Sequence, residues 1–176
     1  MLRLILQLIG IAVLIPVVAY FTLRMENRNA DGPSIVFPGG ELVSGELYTG
    51  PEPDWSFTRD IQLVELELTN PAPPSSRLIF ILESEGKLYV VSGYMGTTLG
   101  RIWNHWAGDA DEGDGMAVVR IDGVRYERRI VRIREGDALD GVTAALREKY
   151  GGNSSRESVE SGNLWVFELA PRGMNV

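Results

Sequence analysis

The sequence predicts a mainly β domain with short helices, an antiparallel barrel carried behind a single N-terminal transmembrane helix. Three observations predict it. An apolar stretch without charge dominates the first 24 residues, alternating apolar and polar runs bounded by turn residues fill the middle, and only two later segments have helical periodicity. A chain of 176 residues makes one domain plus an appendage. The expected divisions are an anchor over 1–28, a tether over 29–53 and a barrel domain over 54–176.

The anchor is Leu4–Leu23, LILQLIGIAVLIPVVAYFTL, with no charged residue. At 1.5 Å rise per residue it makes a helix of ~30 Å, the thickness of bilayer hydrocarbon. Gly10 and Pro16 are tolerated in membrane helices. A cleaved signal peptide and a buried core helix are the competing readings; a signal peptide's apolar region runs ~7–15 residues before a small-residue cleavage site. Here the stretch ends in Tyr20 and Phe21, bulky aromatics suited to a membrane interface. Arg3 and the α-amino group before the helix nearly balance Arg24 and Arg28 after it, so basic flanks decide little. The acidic domain is expected on the extracytoplasmic side of a bacterial inner (cytoplasmic) membrane.

Asn29–Gly50 reads as a tether, with the short apolar run Ile35-Val36-Phe37 set among glycines and prolines. Ile61–Leu68 follows as a half-buried strand, with Val64, Leu66 and Leu68 on one face and Glu65 and Glu67 on the other. Arg77–Leu82 and Lys87–Ser92 flank the turn Glu83–Gly86. Met116–Ile121 and Arg125–Arg134 flank Asp122-Gly123, the strongest short hairpin signal in the chain. Asn163–Leu169 is a last strand. Leu99, Ile102, Trp103 and Trp106 fall at i, i+3, i+4 and i+7, the stripe of one short packed helix. Ala138–Tyr150 is a second helix, opened by Asp137 and stopped by Gly151-Gly152.

Composition narrows the chemistry. There is no cysteine, which removes disulfides, thiolate metal sites and cysteine nucleophiles, and the single histidine, His105, excludes an all-imidazole metal site within one chain. A net charge of −7, from 17 basic against 24 acidic residues, argues against nucleic acid as a partner. The acidic run Asp109–Gly115 fails the calcium-loop pattern, because Gly113 and Asp114 occupy the fifth and sixth positions and Arg120 the twelfth. It reads as a solvated loop. The arginines of Arg125–Arg134 read as a self-complementary strand face, with the acidic run as one possible counterpart.

Taken in order over Asp60–Ile133, the strands, hairpins and intervening helix resemble the split β-barrel of the pyridoxamine 5′-phosphate oxidase-like, flavin-binding superfamily. The resemblance rests on Glu85-Gly-Lys-Leu-Tyr-Val90, on Thr97-Thr-Leu-Gly-Arg101 and on Met116-Ala-Val-Val-Arg-Ile-Asp-Gly-Val-Arg-Tyr-Glu127. It implies a homodimeric barrel and a flavin such as FMN, with Thr97, Thr98 and Arg101 as the phosphate contacts. Two features depart from it: Arg59 and Arg77 lie at strand ends, and the acidic run sets a negative field beside any phosphate.

Arg101, Asn104 and His105 share the polar face of the first helix, and Trp103 and Trp106 read as core or interface residues. No pair of carboxylates is aimed at one substrate, and the sequence assigns no catalytic residue. Three functions follow. The preferred one is a non-catalytic accessory subunit, held in the lipid bilayer and contacting other membrane protein subunits of a larger complex. A membrane-tethered flavin-dependent oxidoreductase and a carrier of flavin or another small ligand are the alternatives.

Overall fold

One long strand with partners on both edges closes the barrel. In the computed structural model, which describes residues 2–70 and 72–172, β6 (Val124–Ile133) pairs along one edge with β5 (Met116–Ile121). Along its other edge it takes first the two-residue β1 (Glu46–Leu47), in parallel, and then β7 (Trp165–Pro171). The order continues from β5 through β2 (Leu63–Leu68), β3 (Ser75–Ser84) and β4 (Lys87–Ser92) to β7, every pair antiparallel. The expected mainly β architecture is therefore a closed barrel of six strands. Both expected hairpins turn on two residues, Glu85-Gly86 (φ 54° and 77°) and Asp122-Gly123 (φ 48° and 80°). Two consecutive left-handed residues give the twist that matches antiparallel strands.

Alternation along the strands fills the interior. Val64, Leu66 and Leu68 face inward with Ile79, Ile81, Val90, Val119 and Phe167. The opposite face of β2 departs from expectation, because Glu67 is buried. The segment before the barrel crosses over it, and the Leu42 backbone N–H donates to Glu67 Oε2 at 2.7 Å. Burial pushes that carboxyl above its usual range.

Residues 29–53, read from sequence as a tether, are laced to the barrel. Gly39 forms a bridge with Ser76, Leu42 is buried, and the Ser76 hydroxyl donates to the Gly40 carbonyl at 2.6 Å. Arg120 joins the Glu65 carboxylate, its cross-strand partner, to Asp31 at 2.8 Å and the Ser44 hydroxyl at 2.9 Å. Asp31 in turn accepts the backbone N–H groups of Val43 and Ser44. Further on, Glu52 accepts from both terminal nitrogens of buried Arg128 and from Trp55 Nε1, with the guanidinium over the Trp55 ring. Trp55 opens a short 3₁₀ helix (Trp55–Asp60) and is fully buried against Tyr126.

Helices occupy the outside and one end. α1 (Leu2–Asn27) is long and apolar enough to cross a membrane, and none of its residues is buried. α2 (Thr98–Trp103) and α3 (His105–Glu112) stand where one helix was expected, and α3 takes up most of the acidic run read as a loop. The run is helical because Ala107 and Ala110 pack into the barrel core while Asp111 pairs with Arg132 on β6 and Arg134 just past its end. α4 (Ala138–Tyr150) keeps its expected bounds and lays Leu139, Val142 and Leu146 on Leu82, Tyr89 and Val91 outside the barrel. α5 (Arg156–Glu160) was not expected; reciprocal hydrogen bonds between Ser155 and Ser158 cap it.

The lacing has a pH signature. The Ser44 hydroxyl, with Arg120 and the amides of Val43 and Ser44, holds the Asp31 carboxyl well below the usual carboxylate range, against the opposing effect of burial. A depressed carboxyl contributes stability above its unfolded value, about 3.9, and loses it as pH falls through the folded value. Asp31→Asn is expected to lower the urea midpoint of the detergent-solubilised chain at pH 7. The gap to the parent should narrow as the buffer is taken below about pH 4, and a gap that is constant with pH would contradict this assignment.

Candidate functional site

The end of the barrel formed by Leu68, Ser75, Ser92, Met116 and Trp165 is plugged from outside. Trp106 of α3 is 4% exposed and lies 5.6 Å from Phe167, ring to ring. It can reach there because the helical run breaks at Asn104, whose φ of −103° and ψ of 37° leave the helix and whose Nδ2 donates to the Gly93 carbonyl at 3.1 Å. Gly100 fixes the turn ahead of it, since a Cβ there would lie 1.9 Å from the Tyr94 carbonyl oxygen.

The break overturns the packed stripe. Leu99, Ile102 and Trp103 are 79%, 67% and 85% exposed, so of the four residues only Trp106 is buried. An unbroken helix would have kept all four on one face; the change of axis at Asn104 sends α2 outward and α3 inward. Arg101, Asn104 and His105 are separated by the same break. Arg101 and His105 are exposed, while Asn104 ties the break to Gly93.

Thr97, Thr98 and Arg101 lie at the outer side of this turn. The Thr97 hydroxyl donates to the Tyr94 carbonyl at 2.9 Å and accepts the Gly100 N–H at 3.0 Å, the ordinary work of an N-cap. Thr98 and Arg101 are exposed on a helix of six residues. None of the three lines the clefts at this end of the barrel.

Those clefts are built from other residues. One, of about 510 Å³, lies between the end of α1 (Tyr20, Arg24), the loop 33–38 and the α2–α3 break. A second, of about 380 Å³, continues past Arg28 and the loop 72–75. Arg77, Arg24 and His105 line both. Arg77 has the parity of Ile79 and Ile81 on β3 and pairs with Leu66, so it points toward the core from one inward position short of the strand's start. Its Nε is buried with no hydrogen-bond partner among the described residues. Burial lowers its guanidinium to about 10, with Asp109 opposing the shift. The arrangement is a basic cleft with aromatic walls, suited to an anionic group. No cluster of potential metal ligands occurs among the described residues.

Sequence reading placed Arg77 at a strand end without a role. The signal was its parity: a cation in register with inward-facing isoleucines must either be paired or open onto a cleft. Ile35 and Val36 were visible as an apolar run, and only the fold reveals what they stand beside.

The two tryptophans separate sharply in their expected effects. Trp106→Ala should cost about 3–5 kcal/mol of unfolding free energy, whereas Trp103→Ala should stay within about 0.5 kcal/mol. Urea unfolding followed by circular dichroism decides it, and equal losses would restore the packed stripe.

No family model and no curated protein matches the chain. Solved structures with a similar fold include the conserved hypothetical protein Rv2991 from Mycobacterium tuberculosis, at 15% identity and TM-score 0.44, covering 66% of this chain and 77% of that one. HutZ, the heme storage protein from Vibrio cholerae, has 12% identity and TM-score 0.46 over 67% of this chain and 87% of its own. A NimC/NimA family protein from Clostridium acetobutylicum has 16% identity and TM-score 0.40 over 63% and 75%. At these scores no residue correspondence follows. The fold itself is a split β-barrel, six antiparallel strands closed between β6 and β7, as the resemblance to the pyridoxamine 5′-phosphate oxidase-like superfamily implied.

Proposed function

We propose that the chain is a single-pass protein of a bacterial cytoplasmic membrane, with an extracytoplasmic barrel that serves as a non-catalytic accessory subunit. The observation that carries this reading is α1: no residue of its apolar span is buried against the barrel, a surface that lipid suits as solvent. A removable leader fits less well, because the end of α1 is part of the folded body. Phe37 packs on Tyr20 with ring centroids 5.4 Å apart, and the Arg28 N–H donates to the Arg24 carbonyl as the chain runs into the laced segment.

An accessory role is supported by how the polar groups are used. The densest basic strand is engaged by its own fold, through Arg128 with Glu52 and through Arg132 and Arg134 with Asp111. The barrel interior is filled by side chains, and the Thr97 hydroxyl is occupied by its own helix cap. The outer face of β2 and β3 offers an apolar pair for protein contact, beside the Tyr150 ring of α4 that packs edge-on to Phe80. Leu63 and Phe80 form a cross-strand pair there, and both are exposed. Exposed apolar pairs of this kind are used in protein contacts.

The test is purification in mild detergent. The full chain should resist carbonate extraction, lack flavin absorbance, and bring down a membrane protein in fixed ratio. Leu63→Glu should abolish that ratio, while Ala144→Glu on the exposed side of α4 should preserve it. Stoichiometric flavin in the purified chain would overturn the accessory reading in favour of the oxidoreductase or carrier.

A further inference from the structure

Around the clefts beside α1, the fold leaves an apolar loop and the apolar side chains of a short helix uncovered. Ile35 is 93% and Val36 75% exposed, and they line one cleft together with Ile102 and Trp103, while Leu99, one turn earlier on α2, is exposed outside that lining. Such side chains outside a core mark a contact surface.

Their height along α1 identifies the occupant. Tyr20 lies three residues before Leu23, the end of the apolar span, which at 1.5 Å rise places it within ~5 Å of that end along the helix axis. Phe37 touches Tyr20, so the tip of the 33–38 loop sits beside the last apolar turn of α1. Trp103 lines the same cleft as Tyr20 and Arg24. At that level the neighbouring solvent is the boundary between lipid headgroups and acyl chains, where tryptophan and tyrosine are favoured. Arg24 and Arg77 line this cleft, and Arg28 lines its continuation with Asp109, so the net charge beside the apolar projections is positive, as an anionic headgroup layer favours.

We propose that Ile35, Val36, Leu99, Ile102 and Trp103 form a second membrane contact, seated in the headgroup–acyl boundary of an anionic leaflet beside α1, with Arg24, Arg28 and Arg77 facing lipid phosphate. The inference rests on the anchored reading of α1 and adds to it a fixed posture: the plugged end of the barrel lies down on the bilayer. Both elements act as wedges, in the manner of interfacial helices that bury an apolar face part-way into the leaflet. A soluble partner at this place would have to compete with lipid for the same surface.

The cysteine-free chain suits a direct test. Single cysteines at Val13, Val36, Leu99 and Ala144 of the full chain are spin-labelled in nanodiscs, and collision with oxygen is compared with collision with a water-soluble nickel chelate. Labels at Val36→Cys and Leu99→Cys should favour oxygen several-fold over Ala144→Cys, with Val13→Cys deeper still. Adding phosphatidylglycerol to phosphatidylcholine should deepen the first two, and Arg24→Gln with Arg28→Gln should erase that gain. Nickel access at Val36 and Leu99 equal to that at Ala144, with Val13 in hydrocarbon, would overturn the second contact while leaving the anchor intact. Shielding of both labels from both reagents would overturn it in favour of a protein cover. Nickel access at Val13 would remove the anchor as well, and equal depth in the two lipid mixtures would remove the phosphate role of the arginines.

Discussion

The guanidinium of Arg120 fixes how the barrel stands relative to its N-terminal helix. It sits on the outer face of β5, bonded to Glu65 across the strand pair and to Asp31 and Ser44 in the crossing segment. Without it, the first part of residues 29–53 would lose its tie to the β2–β5 face and be held only by the Gly39–Ser76 bridge and the Leu42–Glu67 hydrogen bond. With it, the chain leaves α1, turns back over β2 and β5, and buries Leu42 over Glu67. The arginine is largely shielded from solvent, and its hydrogen bonds to two carboxylates raise its proton affinity further. An ion pair with this many fixed partners differs in kind from an isolated surface pair, because each added hydrogen bond satisfies a charge the fold has partly desolvated.

Strands and turns were legible in the sequence, and the helical plug was not. Alternation in Ile61–Leu68 and the Asp122-Gly123 pair carry their own physics: period two and a left-handed turn leave little choice of structure. The stripe Leu99, Ile102, Trp103, Trp106 carries an equally regular period, yet Asn104 breaks it. The break becomes favourable only when Gly93 offers a carbonyl and the barrel end offers a hole for one tryptophan. Those partners are 11 and more than 60 residues away in the chain, beyond what local pattern can report. Residues 29–53 looked like a tether for the same reason, since their partners Glu65, Glu67, Ser76 and Arg120 belong to later strands.

The candidate site divides along similar lines. Thr97, Thr98 and Arg101 were found by resemblance, and the fold gives Thr97 an ordinary capping role. Arg77 could have been found by parity. Pairing of Arg132 and Arg134 with Asp111 was open in the sequence as one of several partners for the basic hairpin, and the fold realises it. This pairing also seats α3, for it draws the acidic end of the plug onto β6 while Trp106 fills the core at the other.

A barrel plugged in this way has little use for its interior. Trp106, Ala107 and Ala110 close one end, Trp55 packs on Tyr126 from β6, and the space between is occupied by aliphatic side chains and Phe167. Small barrels with filled interiors act through their outsides. Here the outside is differentiated: α4 covers β3 and β4, the laced segment covers part of β2 and β5, and the plugged end with α2 and the loop 33–38 stays bare and apolar. Leaving it bare beside an apolar helix of 26 residues is consistent with one solvent serving both surfaces.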